Sequence, residues 1–317
     1  MQTALVAGGS GFIGSNLCEE LLKNGFRVIC VDNLLTSSEE NISSLKENQN
    51  FLFIKHDITK PLALEEKIDA VFHLASPASP NHHSRISYHA LPLETMLANT
   101  TGTFRLLELA EKNNAKFLFA SSSEIYGDPL EHPQKEEYRG NTSTIGPRSV
   151  YDEAKRFGET ITAYFGREEK VDVRIARIFN TYGPKMMKED MRMIVVFITQ
   201  ALVGKPITIF GDGKQTRSLC FVDDLVEGLI KLMFSSQAKG GVINLGSTEE
   251  HSVLEYANMV KKLTNSTSEV VFSEALPQDD PVKRRPDIEK AKKILSWEPK
   301  ITLVDGLKST IQYLKRA

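Results

Sequence analysis

The segment "VAGGSGFIGSNL", residues 6–17, constrains the fold of this chain more than any other stretch. Gly8, Gly11 and Gly14 recur at every third position, with Phe12 and Ile13 between the last two. An apolar run at 4–7 precedes them and a helical pattern at 15–24 follows. Glycines at such a junction permit a tight turn and let backbone N–H groups and the helix N-terminus approach a pyrophosphate. A strand, glycine turn and helix in this order suit a parallel α/β sheet.

The rest of the chain extends that unit. Short runs rich in Val, Ile and Phe at 27–31, 51–54, 70–74, 117–120 and 173–178 alternate with helical patterns at 93–113 and 151–169. Uninterrupted apolar runs suit parallel strands buried on both faces. The expectation is a Rossmann-type doubly wound sheet with helical crossovers. Further on, "MRMIVVFITQALVGK" and "DDLVEGLIKLMFSS" predict helices and "PITIFGDG" a strand entering a tight turn. "LPQDDPVKRRPDIEKAKKILSWEP" predicts a loop leading into a small helix. A dinucleotide-binding domain is expected over 1–175 plus about 218–245. A smaller substrate-binding domain is expected over about 176–217 plus 246–317.

The second strand ends at Asp32, near the roughly 20-residue offset at which a carboxylate accepts from the adenosine ribose hydroxyls. Asn33 follows it rather than an arginine, which favours NAD over NADP. Asp57 and Ile58, in "HDI" after the third strand, are placed to touch the adenine edge or to form a simple turn. "YDEAK" sets Tyr151 and Lys155 four residues apart, on one face of a helix. An ammonium beside a phenol favours phenolate, and such a phenol can take a proton from a sugar hydroxyl as hydride leaves the carbon.

Of the 317 residues 41% are hydrophobic and 25% charged, with a net charge of -2. That balance gives no basic surface for nucleic acid, whose phosphates are bound by clustered Lys and Arg. Cys18, Cys30 and Cys220 stand far apart without metal-ligand spacing, so neither a disulfide framework nor a metal site is expected. No leader pattern opens the chain and no apolar run reaches the roughly 18 residues of a membrane span, so a cytoplasmic location is expected.

The glycine loop, the Ser-rich "FASSSEIYGDP" and the Tyr151/Lys155 pair resemble the extended short-chain dehydrogenase/reductase family, which includes nucleotide-sugar epimerases, dehydratases and decarboxylases. "HLASPASP", "SSSEIYGDPLEHP", "GPRSVYDEAKR", "RIARIFNTYGP", "GDGKQTRS" and "DDPVKRRPDI" are most similar to its UDP-glucuronate decarboxylases. The resemblance implies NAD as cofactor, held also by Leu74, Ala75 and Ser76, and a UDP-sugar as substrate. It implies that Ser122 assists Tyr151 at the sugar C4 oxygen. Dehydratases carry an acidic pair after that hydroxyl, whereas this chain has Ser123 and Glu124. The pattern suits loss of carbon dioxide from UDP-glucuronate through a C4-keto intermediate, giving UDP-xylose, with Glu124 positioning a water or the sugar ring for protonation at C5. The alternative for Glu124 is to anchor its loop through backbone N–H groups.

By the same resemblance Asn180 and Arg217 bind the nucleotide-sugar diphosphate, and Arg284 sits near the sugar carboxylate and its loss. Paired donors in a fixed fork suit guanidinium groups to both anions. One segment departs from the pattern. In "NHHSRISYHALPLETMLANTTGT", Glu94 stands where the decarboxylases have a lysine, and would repel a substrate carboxylate. Either His82, His83, Arg85 or His89 restores positive charge, or the enzyme is a UDP-sugar 4-epimerase. The family also implies a homodimer joined through two helices per subunit, for which 93–113 and 151–169 are the candidates.

Overall fold

The computed structural model of the protein describes residues 1–316. Seven parallel strands form one sheet, in the order Val242–Leu245, Asp172–Ile178, Lys116–Ser122, Ala70–His73, Thr3–Ala7, Arg27–Asp32, Phe51–Lys55. The chain builds outward from Thr3–Ala7 to Phe51–Lys55, then crosses back to lay Ala70–His73 on the other side. Strand order therefore reverses at the C-terminal end of the first strand, where open parallel sheets bind their ligands. Gly8 to Gly14 lie at that reversal.

Side chains alternate across a strand, so a strand buried on both faces feeds two cores. Val6 and Cys30 pack with Leu17, Leu21, Leu225 and Leu229 on one face. Leu5 and Ile29 pack with Leu106, Leu107, Phe119 and Phe165 on the other. This doubled burial is why the strands read as continuous apolar runs.

The helix expected over 93–113 is broken. Pro92–Leu97 and Thr103–Asn113 are α-helical, but Ala98–Gly102 between them opens into a wider turn. Thr95, Thr100 and Thr103 each bond back to the carbonyl four residues earlier, a habit that bends helices. A Cβ on Gly102 would lie 2.6 Å from Ile58 Cδ1, so the bend also brings the helix close to the third crossover.

The later half supplies small sheets and helices beside the C-terminal edge of the large sheet. Ile207–Phe210 pairs with Val270–Glu274. Thr216–Ser218 lies between Glu250–Ser252 and Lys283–Arg284. Helices Met193–Leu202, Val253–Thr264 and Leu303–Arg316 pack around them. None of the described helices is long and apolar enough to cross a membrane.

Candidate active site

Between the large sheet and these later elements lies a cleft of about 370 Å³. Its inner end is the glycine turn. A Cβ on Gly14 would sit 2.1 Å from Gly8 O, and one on Gly8 would meet the Ala75 backbone at 2.7 Å. At Gly11 the only neighbour would be Gly8 O at 3.3 Å. Gly8 and Gly14 thus let the turn close on itself, while Gly11 leaves its cleft side free for a ligand. Helix Phe12–Lys23 starts there with no side-chain cap and no acidic residue in its first turn. Its N-terminal N–H groups and dipole accordingly suit a pyrophosphate.

Gly8, Gly11, Phe12, Ile13, Gly14, Leu74 and Ser76 line the cleft. Asp32, Asn33, Asp57, Ile58 and Ala75 do not. Asp32 ends its strand buried beneath the turn, accepting from the N–H groups of Ser10 and Leu34 and from the Ser37 hydroxyl. Asp57 caps its own turn by accepting from Thr59 N and Oγ1. Asn33 does the same with Leu35 N.

Strand Lys116–Ser122 delivers the central residues. Helix Ser149–Arg167 lies close against it, because a Cβ on Gly158 would fall 2.3 Å from the Phe119 ring. One turn earlier on that helix, Lys155 Nζ donates to Ala120 O at 2.7 Å and stands 5.6 Å from the Tyr151 ring centroid. Burial pulls the Lys155 ammonium down to about 7. Burial likewise pushes Tyr151 up to about 12, against a hydrogen bond from Ser122 that lowers it. The expected lowering of the phenol by Lys155 is not found, because desolvation dominates for both groups. Tyr88 stacks on Tyr151 at 5.0 Å and keeps it dry.

After Ser122 the chain enters a single 3-10 turn, Ser123–Tyr126, whose first N–H groups are met by Ser122 Oγ accepting from Glu124 N at 3.2 Å. The turn aims Glu124 into the cleft, where Arg148 and Arg284 both donate to it. Burial would raise this carboxyl, but the two guanidinium charges and their hydrogen bonds outweigh it and hold the group at about 2. Glu124 is therefore a permanent anion at neutral pH, anchored by side chains rather than by backbone N–H groups.

The clasp extends further. Arg148 also donates to Asp280 at 3.1 Å, and Arg217 donates to the other Asp280 oxygen at 2.8 Å. Arg284 and Arg217 are register partners on adjacent parallel strands, which sends both guanidiniums the same way. Three arginines against two carboxylates leave this end of the cleft with one net positive charge. Asn180 lines the cleft with a buried Oδ1 that has no partner. Beside Glu124 and Arg148, burial and then the Glu124 charge push Asp152 up to about 8.

Glu94 lies elsewhere. It is exposed on helix Pro92–Leu97 and does not line the cleft, so it cannot repel a substrate carboxylate. Of the residues weighed as its compensation, only His82 lines the cleft. Positive charge comes instead from the excess guanidinium among Arg148, Arg217 and Arg284, of which sequence reasoning missed Arg148; Arg192 also lines the cleft but is paired with Asp190. Arg148 stood in the quoted "GPRSVYDEAKR", three residues before Tyr151, without a pattern that tied it to Glu124.

An uncapped glycine turn at the strand-order reversal, with Ser, Tyr and Lys converging opposite it, defines a dinucleotide-dependent enzyme acting on an anionic ligand. The model of the NAD dependent epimerase/dehydratase family matches residues 4–246, and the chain belongs to that family. It is 46% identical to UDP-glucuronic acid decarboxylase 1 of Xenopus tropicalis, over 98% of this chain and 72% of that protein. It is also 46% identical to UDP-glucuronic acid decarboxylase 3 of Arabidopsis thaliana, over 96% of this chain and 86% of that protein. Among solved structures it resembles the UDP-glucuronic acid 4-epimerase of Bacillus cereus in complex with UDP-glucuronic acid and NAD. The two are 30% identical with a TM-score of 0.87, and 99% of each chain is covered.

Proposed function

We propose that this protein decarboxylates UDP-glucuronate to UDP-xylose, with NAD as a cofactor that is reduced and reoxidised within each cycle. The observation that carries this reading is Glu124, held as a carboxylate between Arg148 and Arg284 beside Ser122 and Tyr151. Ser123 stands beside Glu124 where dehydratases carry the second member of an acidic pair, so the group that would protonate a departing hydroxyl is missing. Similarity to the decarboxylases over nearly all of this chain supports the same choice.

Gly8, Gly11, Phe12, Ile13 and Gly14, with Tyr151 and Lys155 in the same cleft, would hold NAD, which supplies reversible hydride transfer at the sugar C4. Leu74 and Ser76 would line its path within the cleft, and the adenosine end would have to reach beyond the cleft to meet Asp32, Asn33, Asp57, Ile58 and Ala75. Tyr151 Oη would take the proton of the C4 hydroxyl as a phenolate, a form that the positive nicotinamide of bound NAD has to favour because burial alone keeps the phenol protonated, while Ser122 Oγ fixes the same oxygen. With C4 a ketone, the C6 carboxylate is β to it, and its electron pair moves onto the C4 oxygen as carbon dioxide leaves. Tyr151 and Ser122 stabilise that oxyanion as it develops.

Arg284 and Arg148 orient the sugar carboxylate without fully neutralising it, because Glu124 already shares their charge. This arrangement does not oppose departure of a neutral molecule. Glu124, accepting, orients the water through which C5 receives the proton that the reaction consumes. Arg217 and Asn180 hold the diphosphate.

The sheet-forming segments, 1–175 with about 218–245, serve the cofactor, and 176–217 with 246–317 serve the UDP-sugar. A homodimer is proposed through Leu93, Leu97 and Phe104 on one helical stripe and Phe157 and Tyr164 on the neighbouring helix, all exposed. The free buried cysteines Cys18, Cys30 and Cys220 accord with a reducing, cytoplasmic setting.

Incubation of the purified protein with NAD and UDP-glucuronate tests the reaction. Carbon dioxide and UDP-xylose in equal amounts are expected. UDP-galacturonate without carbon dioxide would overturn the proposal in favour of a 4-epimerase.

A further inference from the structure

We propose that His82, His83 and Glu274 bind a transition-metal dication of the zinc class, which straps the 79–84 loop to the end of strand Val270–Glu274 at the edge of the cleft. The three side chains come from segments 191 residues apart, and their candidate ligand atoms all lie within 4.8 Å of one another. His83 Nε2 is 3.0 and 3.3 Å from the two Glu274 oxygens, and His82 Nε2 is 3.6 Å from one of them. A tetrahedral zinc ion with bonds of about 2.0–2.2 Å spaces its ligands roughly 3.3–3.6 Å apart. The 3.0–3.6 Å separations from Glu274 bracket that spacing.

Donor chemistry selects the ion. Two imidazoles and one carboxylate favour zinc, nickel or copper over magnesium and calcium, which prefer all-oxygen shells. Three protein ligands leave a fourth position for water. All three side chains are exposed, so the ion enters from solvent without opening the fold.

The loop is already tied down on its other side. Ser79 and Ser84 donate to the carbonyls of Asp190 and Glu189, and Asn81 Nδ2 donates to Met191 O at 2.8 Å. Asn81 Oδ1 also accepts from His83 N at 2.9 Å, which orients the histidine pair. His82, Phe210 and Leu276 line the cleft beside this cluster. A metal joining the loop to Glu274 thus closes a link between two segments that flank the opening, and slows passage of ligands through it.

Calorimetric titration of the full-length protein with zinc chloride tests the site without any substrate. One ion per chain is expected, with affinity at least about tenfold weaker in His83→Ala and in Glu274→Gln. Affinity should be unchanged in His132→Gln, which alters a different histidine–glutamate pair. Magnesium chloride should give no saturable heat. Stoichiometric binding that survives both variants, or no saturable binding, would overturn the site. In turnover assays zinc should slow the wild type and leave Glu274→Gln at its metal-free rate. Equal inhibition of both would overturn the strap. Because the binding heat is read without UDP-glucuronate, its outcome is independent of the reaction proposed above.

Discussion

Arg284 and Glu124, 160 residues apart, meet as two forks, with both terminal guanidinium nitrogens donating to the two carboxylate oxygens. Arg148, at the N-cap of helix Ser149–Arg167, donates to the same carboxylate. A charged group this enclosed is stable only while its partners are present.

Replacing Glu124 with Gln should therefore lower carbon dioxide release by about 100-fold, the usual loss when a group that positions a reactant is misplaced. NAD binding should persist, since the glycine turn is untouched. Near-normal turnover would remove Glu124 from the mechanism.

The same substitution reports on stability. The folded Glu124 carboxyl lies at about 2 against an ordinary 4.5, so its stabilisation is complete above about pH 4.5. It is lost as pH falls through about 2. The gap in unfolding free energy between wild type and Glu124→Gln should shrink from up to about 3 kcal/mol at neutral pH toward zero in acid. Urea unfolding at a series of pH values measures it, and a gap independent of pH would contradict the assignment.

Asp152 carries the opposite sign. Its folded value near 8 lies above the ordinary 3.8, so the folded state binds the extra proton and wild-type stability falls as pH rises between those values. Asp152→Asn should gain on the wild type across that window. Parallel stability profiles would refute the assigned shift.

Gly14 and Gly11 of the turn should separate folding from binding. Gly14→Ala places a Cβ against Gly8 O and should cost on the order of 1–3 kcal/mol or prevent folding. Gly11→Ala should keep a near-native melting temperature yet lose NAD affinity, because its added methyl enters the cleft. Calorimetric NAD titration beside a thermal melt distinguishes them, and equal destabilisation would contradict the reading.

Glu94 faces away from the cleft, so Glu94→Lys should leave kcat/KM for UDP-glucuronate within about twofold, as surface substitutions generally do. A large rise would return Glu94 to the active site. Phe157→Asp tests the exposed helical stripe differently: a monomer by light scattering is expected, and an unchanged dimer would place the interface elsewhere.

Much of the fold was legible because its signals are local. The glycine triplet needs only its own turn, and strands buried on both faces announce themselves as apolar runs. Tyr151 and Lys155 share a face through helical spacing alone, and Ser122 and Glu124 follow from the chain entering a turn at a strand end. Tertiary structure decided the rest. Two-residue strands such as Lys283–Arg284 carry no period, so the register that sets Arg284 beside Arg217 was invisible. The partnership of Arg148 with Glu124 and Asp280 depends on loops meeting across the cleft. The direction of Glu94 follows from which face of its helix is buried. The protonation of Tyr151, Lys155 and Glu124 depends on how much water and how many opposite charges surround each one, and these are properties of the packed molecule.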